Sequence, residues 1–170
     1  MCHYCGCRDI PLIREFIAEH EAVTDLAGDA VRALDAGDPA RARALVAGMT
    51  DRLRAHWAGE ERGLFAVMRE NAEYNAYIDA LVGEHRELAA FLAALDLDDA
   101  ADRAAFTRSV DELHAHVAKE EDGLFPASLT ELTGDQWNLS MEAWRTVHGK
   151  ADGAATQAGA RDGRGPAAPH

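Results

Sequence analysis

Apolar side chains recur every three or four residues along five stretches of the chain, and no stretch alternates with period two, so helices are predicted and strands are not. The first stretch runs from Asp9 to Ala36 through Ile10, Ile13, Phe16, Ile17, Val23, Leu26 and Val31, with Gly37 as its C-terminal cap. In the second, Asp38-Pro39 supplies an N-cap and a first-turn proline, and the pattern continues through Leu45, Met49, Leu53, Leu64 and Met68 to about Asn71. A link rich in Asn and Tyr leads to the third, Tyr77, Leu81, Leu88, Phe91, Leu92 and Leu95, broken by the acidic turn Asp96 to Asp99. The fourth begins near Asp102 and carries Phe106, Val110, Leu113, Val117 and Leu124; Pro126 is expected to bend it. After Gly134-Asp135 a shorter helix over 136–148 is expected to lie on the others through Trp137, Leu139 and Trp144. Short links between four long helices predict an all-α fold: an antiparallel up-down-up-down four-helix bundle with a short fifth helix.

The polar residues that break these stripes are more informative than the stripes. Residues 53–65 read LRAHWAGEERGLF, and residues 113–125, offset by 60 positions, read LHAHVAKEEDGLF. His56 and Glu60 are thereby echoed by His116 and Glu120, each pair one helical turn apart on one face, at positions where a plain bundle would place Leu. A weaker echo joins Ala18-Glu19-His20-Glu21 to Gly83-Glu84-His85-Arg86-Glu87, and both His20 and His85 fall at core spacing. All four long helices therefore aim a histidine inward.

An ionised carboxylate in an apolar interior costs several kcal/mol unless a cation or good hydrogen bonds compensate it. Two metal ions meet that need, because imidazole together with carboxylate suits iron, and carboxylates from facing helices can bridge two ions. Manganese and zinc accept the same donors. Four histidines with two bridging glutamates provide eight bonds, whereas two ions of five- or six-fold coordination take about ten to twelve, which leaves room for an oxo or hydroxo bridge and a small exogenous molecule. Glu61 and Glu121 point about 100° away from the inward face and are expected in solvent or behind the ligands. His114 should face outward, and His148 and His170 lie in or near the C-terminal tail. The repeated Gly63 and Gly123 suit close helix approach or a slight kink. Trp57 is expected on the bundle surface or against the fifth helix.

Length and charge narrow the rest. The chain has 170 residues, nearly half of them apolar, enough for one domain with a sizeable core. Its 17 Lys and Arg against 30 Asp and Glu give a net charge of -13, which would repel DNA or RNA. No stretch approaches the roughly 20 apolar residues of a membrane span, and no apolar signal core follows Met1, so a cytoplasmic protein with no membrane partner is expected. Cys2, Cys5 and Cys7 all lie in the first seven residues, too crowded to staple a fold. With His3 they form a short pattern open to zinc or iron, to redox or metal-relay chemistry, or to no chemistry at all. The expected division is an N-terminal cysteine-bearing arm at 1–8, the bundle with its short helix at 9–149, and a tail at 150–170 rich in Gly, Ala and Pro and expected to be disordered.

In order and spacing, His20 followed by Glu21, His56 with Glu60, His85, and His116 with Glu120 followed by Leu-Phe-Pro resemble the hemerythrin-like, HHE cation-binding family, over about residues 9 to 130. The resemblance implies a non-haem di-iron centre with Glu60 and Glu120 as bridges and the four histidines as terminal ligands, binding or processing dioxygen, hydrogen peroxide or nitric oxide. It also implies one departure. Oxygen-carrying hemerythrins place a fifth histidine one turn from the third-helix ligand, where this chain has Leu81 and Ala89 around His85. A less saturated pair of ions favours reactivity over oxygen storage. The cysteine arm is similar in outline to iron-centre repair proteins of the same superfamily, which join a longer cysteine-bearing region to such a domain. That similarity implies an alternative role as a sensor of oxygen, redox state or nitric oxide, or as an iron donor.

Overall fold

The structure, a computed structural model, describes residues 7–149; the expected tail at 150–170, and residues 1–6 of the expected arm, with Cys2 and Cys5, lie outside the described residues. A 3₁₀ turn, Cys7–Asp9, opens the chain. The helices that follow are α1 (Pro11–Asp35), α2 (Pro39–Arg62), α3 (Leu64–Met68), α4 (Asn75–Ala94), α5 (Ala100–Lys119), α6 (Phe125–Glu131) and α7 (Gly134–Val147). The described residues include no strand, and together they form a helical bundle.

The predicted caps fall where the turn chemistry puts them. Gly37 adopts φ +73°, a left-handed conformation that closes α1 without the penalty a Cβ would bring. The Asp38 carboxylate accepts the Arg41 N–H at 2.9 Å and Pro39 begins α2. Asp99, expected only as part of the acidic turn that ends the third helix, also caps α5 through the N–H groups of Ala101 and Asp102, so this helix starts two residues before the expected Asp102. At α7, Thr133 and Gln136 form a reciprocal capping box, so this helix starts two residues earlier than expected.

Two expectations about helix continuity are corrected. The second long helix does not run unbroken to Asn71. It breaks at Gly63 (φ -105°, ψ -99°), where a Cβ would lie 2.7 Å from the Gly59 carbonyl oxygen and 2.9 Å from that of Ser140 on α7, so only glycine lets α7 pass this closely. The fourth helix is distorted before Pro126 rather than at it. Glu120–Leu124 form a single π turn, in which the Phe125 N–H reaches the Glu120 carbonyl. Pro126 then sits in the first turn of α6, where a missing N–H costs nothing, and Phe125 before it stays helical. Leu139, expected to pack on the bundle, is 58 % exposed; α7 is held instead by buried Trp144 and half-buried Trp137.

The core divides into two apolar clusters. One gathers Val23, Ala27, Met49, Leu53, Phe106 and Leu113; the other gathers Ile13, Phe16, Phe65, Ile78, Leu81 and Phe125. Each fully buried Leu, Ile or Phe contributes about 1.5–3 kcal/mol. Along every long helix the residues between the two clusters are the buried histidines and glutamates, so the polar band is clamped from both ends by close-packed hydrocarbon. The described helices include none long and apolar enough to cross a membrane.

Candidate metal centre

His20, His56, Glu60, His85, His116 and Glu120 are each at most 6 % exposed and meet in the middle of the bundle. They form two groups whose donor atoms lie close enough together to hold an ion: His20, His56, Glu60 and Glu120 in one, His85, His116 and Glu120 in the other, with Glu120 shared. His20 Nε2 lies 3.1 Å from Glu120 Oε2 and His116 Nε2 lies 3.1 Å from Glu120 Oε1. His56 Nε2 is 3.3 Å from Glu60 Oε1, and His85 Nε2 is 3.6 Å from Glu60 Oε2. These separations are short, yet all four oxygens of Glu60 and Glu120, and His20 Nε2, lack a hydrogen bond of proper alignment. The two carboxylates therefore sit among histidine nitrogens without a well-aligned hydrogen bond to any of them.

The outer face of each ring has a partner of its own. Every one of these histidines has its Nδ1 against a carboxylate from a neighbouring helix: His20 with Glu121 at 3.1 Å, His56 with Glu19 at 2.8 Å, His85 with Glu61 at 3.0 Å and His116 with Glu84 at 2.8 Å. An Nδ1–H donated outward fixes the tautomer and turns the Nε2 lone pair inward, the arrangement metal-binding histidines adopt. The acids form a closed ring around the bundle, in which the fourth long helix supports the first, the first the second, the second the third and the third the fourth. His85 and His116 then face each other with Nε2 atoms 3.0 Å apart, a separation two lone pairs tolerate only with a proton or a cation between them.

Glu61 and Glu121 thus stand behind the inward histidines His85 and His20, one of the two places open to them from the sequence. Glu19 and Glu84 were missed. Their signal lies in the repeated dipeptides Glu19-His20 and Glu84-His85, whereas Glu21, which follows His20, is exposed. Trp57 was misplaced. It is 7 % exposed, and its indole stacks on the His85 ring at 5.1 Å and 21°, because the second helix turns it toward α4 rather than toward α7. His114 is exposed, and His170 lies outside the described residues. His148 does not reach the centre; its Nε2 meets Glu19 Oε1 at 2.9 Å while its Nδ1 donates to the Trp144 carbonyl. Cys7 opens the first turn, and its neighbour Arg8 donates to Glu121 Oε2 at 2.7 Å, the same carboxylate that holds His20.

Without an ion the band is electrostatically divided. Burial pushes Glu60 well above the usual carboxylate range, and the facing Glu120 pushes it further. Glu120 is equally buried, but the histidines His116, His20 and His85 outweigh that burial and hold it well below its ordinary value. Burial disfavours the charged form of His20, yet Glu120 and Glu121 overcome it and raise this histidine to about 9. His56 goes the other way, to about 4, since burial and the His20 charge exceed the pull of Glu19. Burial thus favours the neutral form of Glu60, while the surrounding histidines favour the ionised form of Glu120. Divalent cations would compete with protons for these donors.

The family profile described as Hemerythrin HHE cation binding domain matches residues 12–128, a span that holds all six inward donors and the four acids behind them. No curated protein and no solved structure matches the chain.

Proposed function

Because the chain belongs to the hemerythrin HHE cation-binding domain family, we propose that the buried band holds a pair of iron ions, with Glu60 and Glu120 between them and His20, His56, His85 and His116 as terminal ligands. One observation chiefly supports it: histidine nitrogens and the oxygens of two fully buried acids, oxygens that lack a well-aligned hydrogen bond, converge in two groups that share Glu120. The donor chemistry fits, because mixed imidazole and carboxylate suits iron and accepts manganese or zinc as well. The alternating up-down-up-down course is supported by the way each long helix meets the two apolar clusters in the reverse order of the one before it.

Bound iron would supply redox chemistry and a coordination position for a small oxidant, dioxygen, hydrogen peroxide or nitric oxide. The protein's own part is to keep that position dry and shaped. Phe16, Phe65 and Phe125 pack against the histidine rings at centroid distances of 5.6 to 5.9 Å and exclude water from their faces. The ring of acids keeps each imidazole from rotating and raises its basicity as a donor. Leu81, one turn from His85, is 1 % exposed and brings only hydrocarbon, so its position adds no fifth histidine and the pair of ions stays less saturated than in an oxygen carrier.

Metal analysis with an optical spectrum before and after peroxide, azide or nitric oxide tests this reading. Two iron ions per chain and a spectrum that changes with the added molecule are expected, together with consumption of peroxide or nitric oxide above that of free iron. A chain that takes up no metal under these conditions overturns the centre, and a loaded chain that consumes neither molecule overturns the catalytic version.

The tie from Arg8 through Glu121 to His20 favours a second reading, in which the state of the ions is passed to the N-terminal cysteines as a sensor would do, or iron is handed on through them. Replacing Cys2, Cys5 and Cys7 together should abolish that role and leave the metal spectrum intact.

A further inference from the structure

A cleft of about 530 Å³ opens between α4 and α5, far larger than a diatomic molecule or peroxide needs and within the range of sites for organic ligands. Its wall is apolar and aromatic through Trp57, Leu88, Phe91 and Leu113, and α5 lines it with the small residues Ala105 and Ser109. His85, His116 and the supporting acid Glu84 also line it, so it reaches the edge of the buried band.

The other half of the duplicated chain shows what such a groove accepts. Glu19 is the repeat partner of Glu84, and each uses Oε2 to hold a histidine Nδ1 at 2.8 Å. In the groove by Glu19 the chain places its own aromatic ring: the Trp144 indole N–H donates to Glu19 Oε1 at 3.0 Å, His148 stacks on that indole at 4.4 Å, and Gly59 leaves the space. Gly59 has Lys119 as its counterpart, and among the described residues no helix like α7 fills the groove by Glu84. Lys119 bonds Oε1 of Glu84 from a half-exposed position. A carboxylate oxygen accepts more than one hydrogen bond, so Glu84 Oε1 has capacity for one more donor beside Lys119.

We infer that the α4–α5 cleft is a binding site for a neutral aromatic small molecule bearing an N–H or O–H donor, which lies against Trp57 and Phe91 and donates to Glu84 as Trp144 donates to Glu19. A net charge of -13, with Glu87 and Glu112 at the cleft beside Arg108, disfavours an anionic ligand. The site stands independently of which ion the centre holds, so its failure would leave the metal reading untouched.

Indole and 2-naphthol are the probes, with 2-naphthalenesulfonate as the anionic control, titrated by equilibrium dialysis into the metal-loaded protein. One saturable site for the neutral probes is expected, at least tenfold weaker for the sulfonate. Ala105→Trp, which fills the cleft without touching the ligands, should weaken the neutral probes at least tenfold at unchanged metal content. A crystal of the unaltered protein soaked with indole, showing the ring between α4 and α5, serves if that variant misfolds. Absence of saturable binding up to the solubility limit, equal binding to Ala105→Trp, density for the probe elsewhere, or a solution dimer that covers the cleft would each overturn the assignment.

Discussion

Replacing Glu60 with Met should make the metal-free protein more stable and the metal-loaded protein less so. Glu60 is fully buried, both of its oxygens lack a well-aligned hydrogen bond, and burial has pushed its carboxyl toward the neutral form. A buried polar atom left unsatisfied costs about 1–3 kcal/mol, so two such oxygens set a penalty of roughly 2–6 kcal/mol in the absence of an ion. Met is unbranched, of similar length, and adapts to irregular space, so part of the gain is lost to imperfect packing, about 1 kcal/mol or more. A net stabilisation of about 2–3 kcal/mol corresponds to a rise of roughly 4–12 °C in midpoint for a domain of this size. Metal reverses the sign. An ion at 1,000 times its dissociation constant stabilises the native state by about 4 kcal/mol per site, and the variant lacks that donor. The assay is thermal unfolding followed by circular dichroism, for both proteins, in chelator and again in excess ferrous iron under anaerobic conditions. Glu60→Met melting below the unaltered protein in chelator would refute the reasoning, because it would mean that Glu60 is satisfied by the protein itself. An unaltered protein whose midpoint ignores the metal would refute it equally.

Other substitutions report on separate parts of the argument. Glu61→Gln and Glu121→Gln, which weaken the carboxylate behind His85 and His20, should each lower metal affinity about 10–100-fold in a competition titration while the far-ultraviolet spectrum stays unchanged. Gly59→Ala sets a Cβ 2.9 Å from the Trp144 ring and should cost about 1–3 kcal/mol in denaturant unfolding. Gly48→Ala in the same helix meets nothing within 4 Å and should gain about 0.5–1 kcal/mol, so the pair separates crowding from helix propensity. Thr133→Ala removes the cap of α7 and should cost about 1 kcal/mol, read as a lower midpoint for a transition followed by tryptophan fluorescence.

What the sequence determined by itself was whatever depends on spacing along one helix. Helix periodicity, the caps at Gly37 and Asp38, and the inward direction of His56 with Glu60 and of His116 with Glu120 all follow from 3.6 residues per turn and from local turn chemistry. The duplication made the second copy a check on the first. Tertiary structure decided everything that depends on which helix faces which. The pairing of Glu19 with His56 and of Glu84 with His116 joins residues 37 and 32 positions apart, and no periodicity within a helix encodes a hydrogen bond between helices. The π turn at Glu120 replaced the bend expected at Pro126, and the burial of Trp57 depended on α4 lying across it. The open cleft at Glu84 and the filled groove at Glu19 share the repeated Glu-His pair but differ at Gly59 against Lys119, and only the packing of α7 shows which of the two grooves the described residues fill.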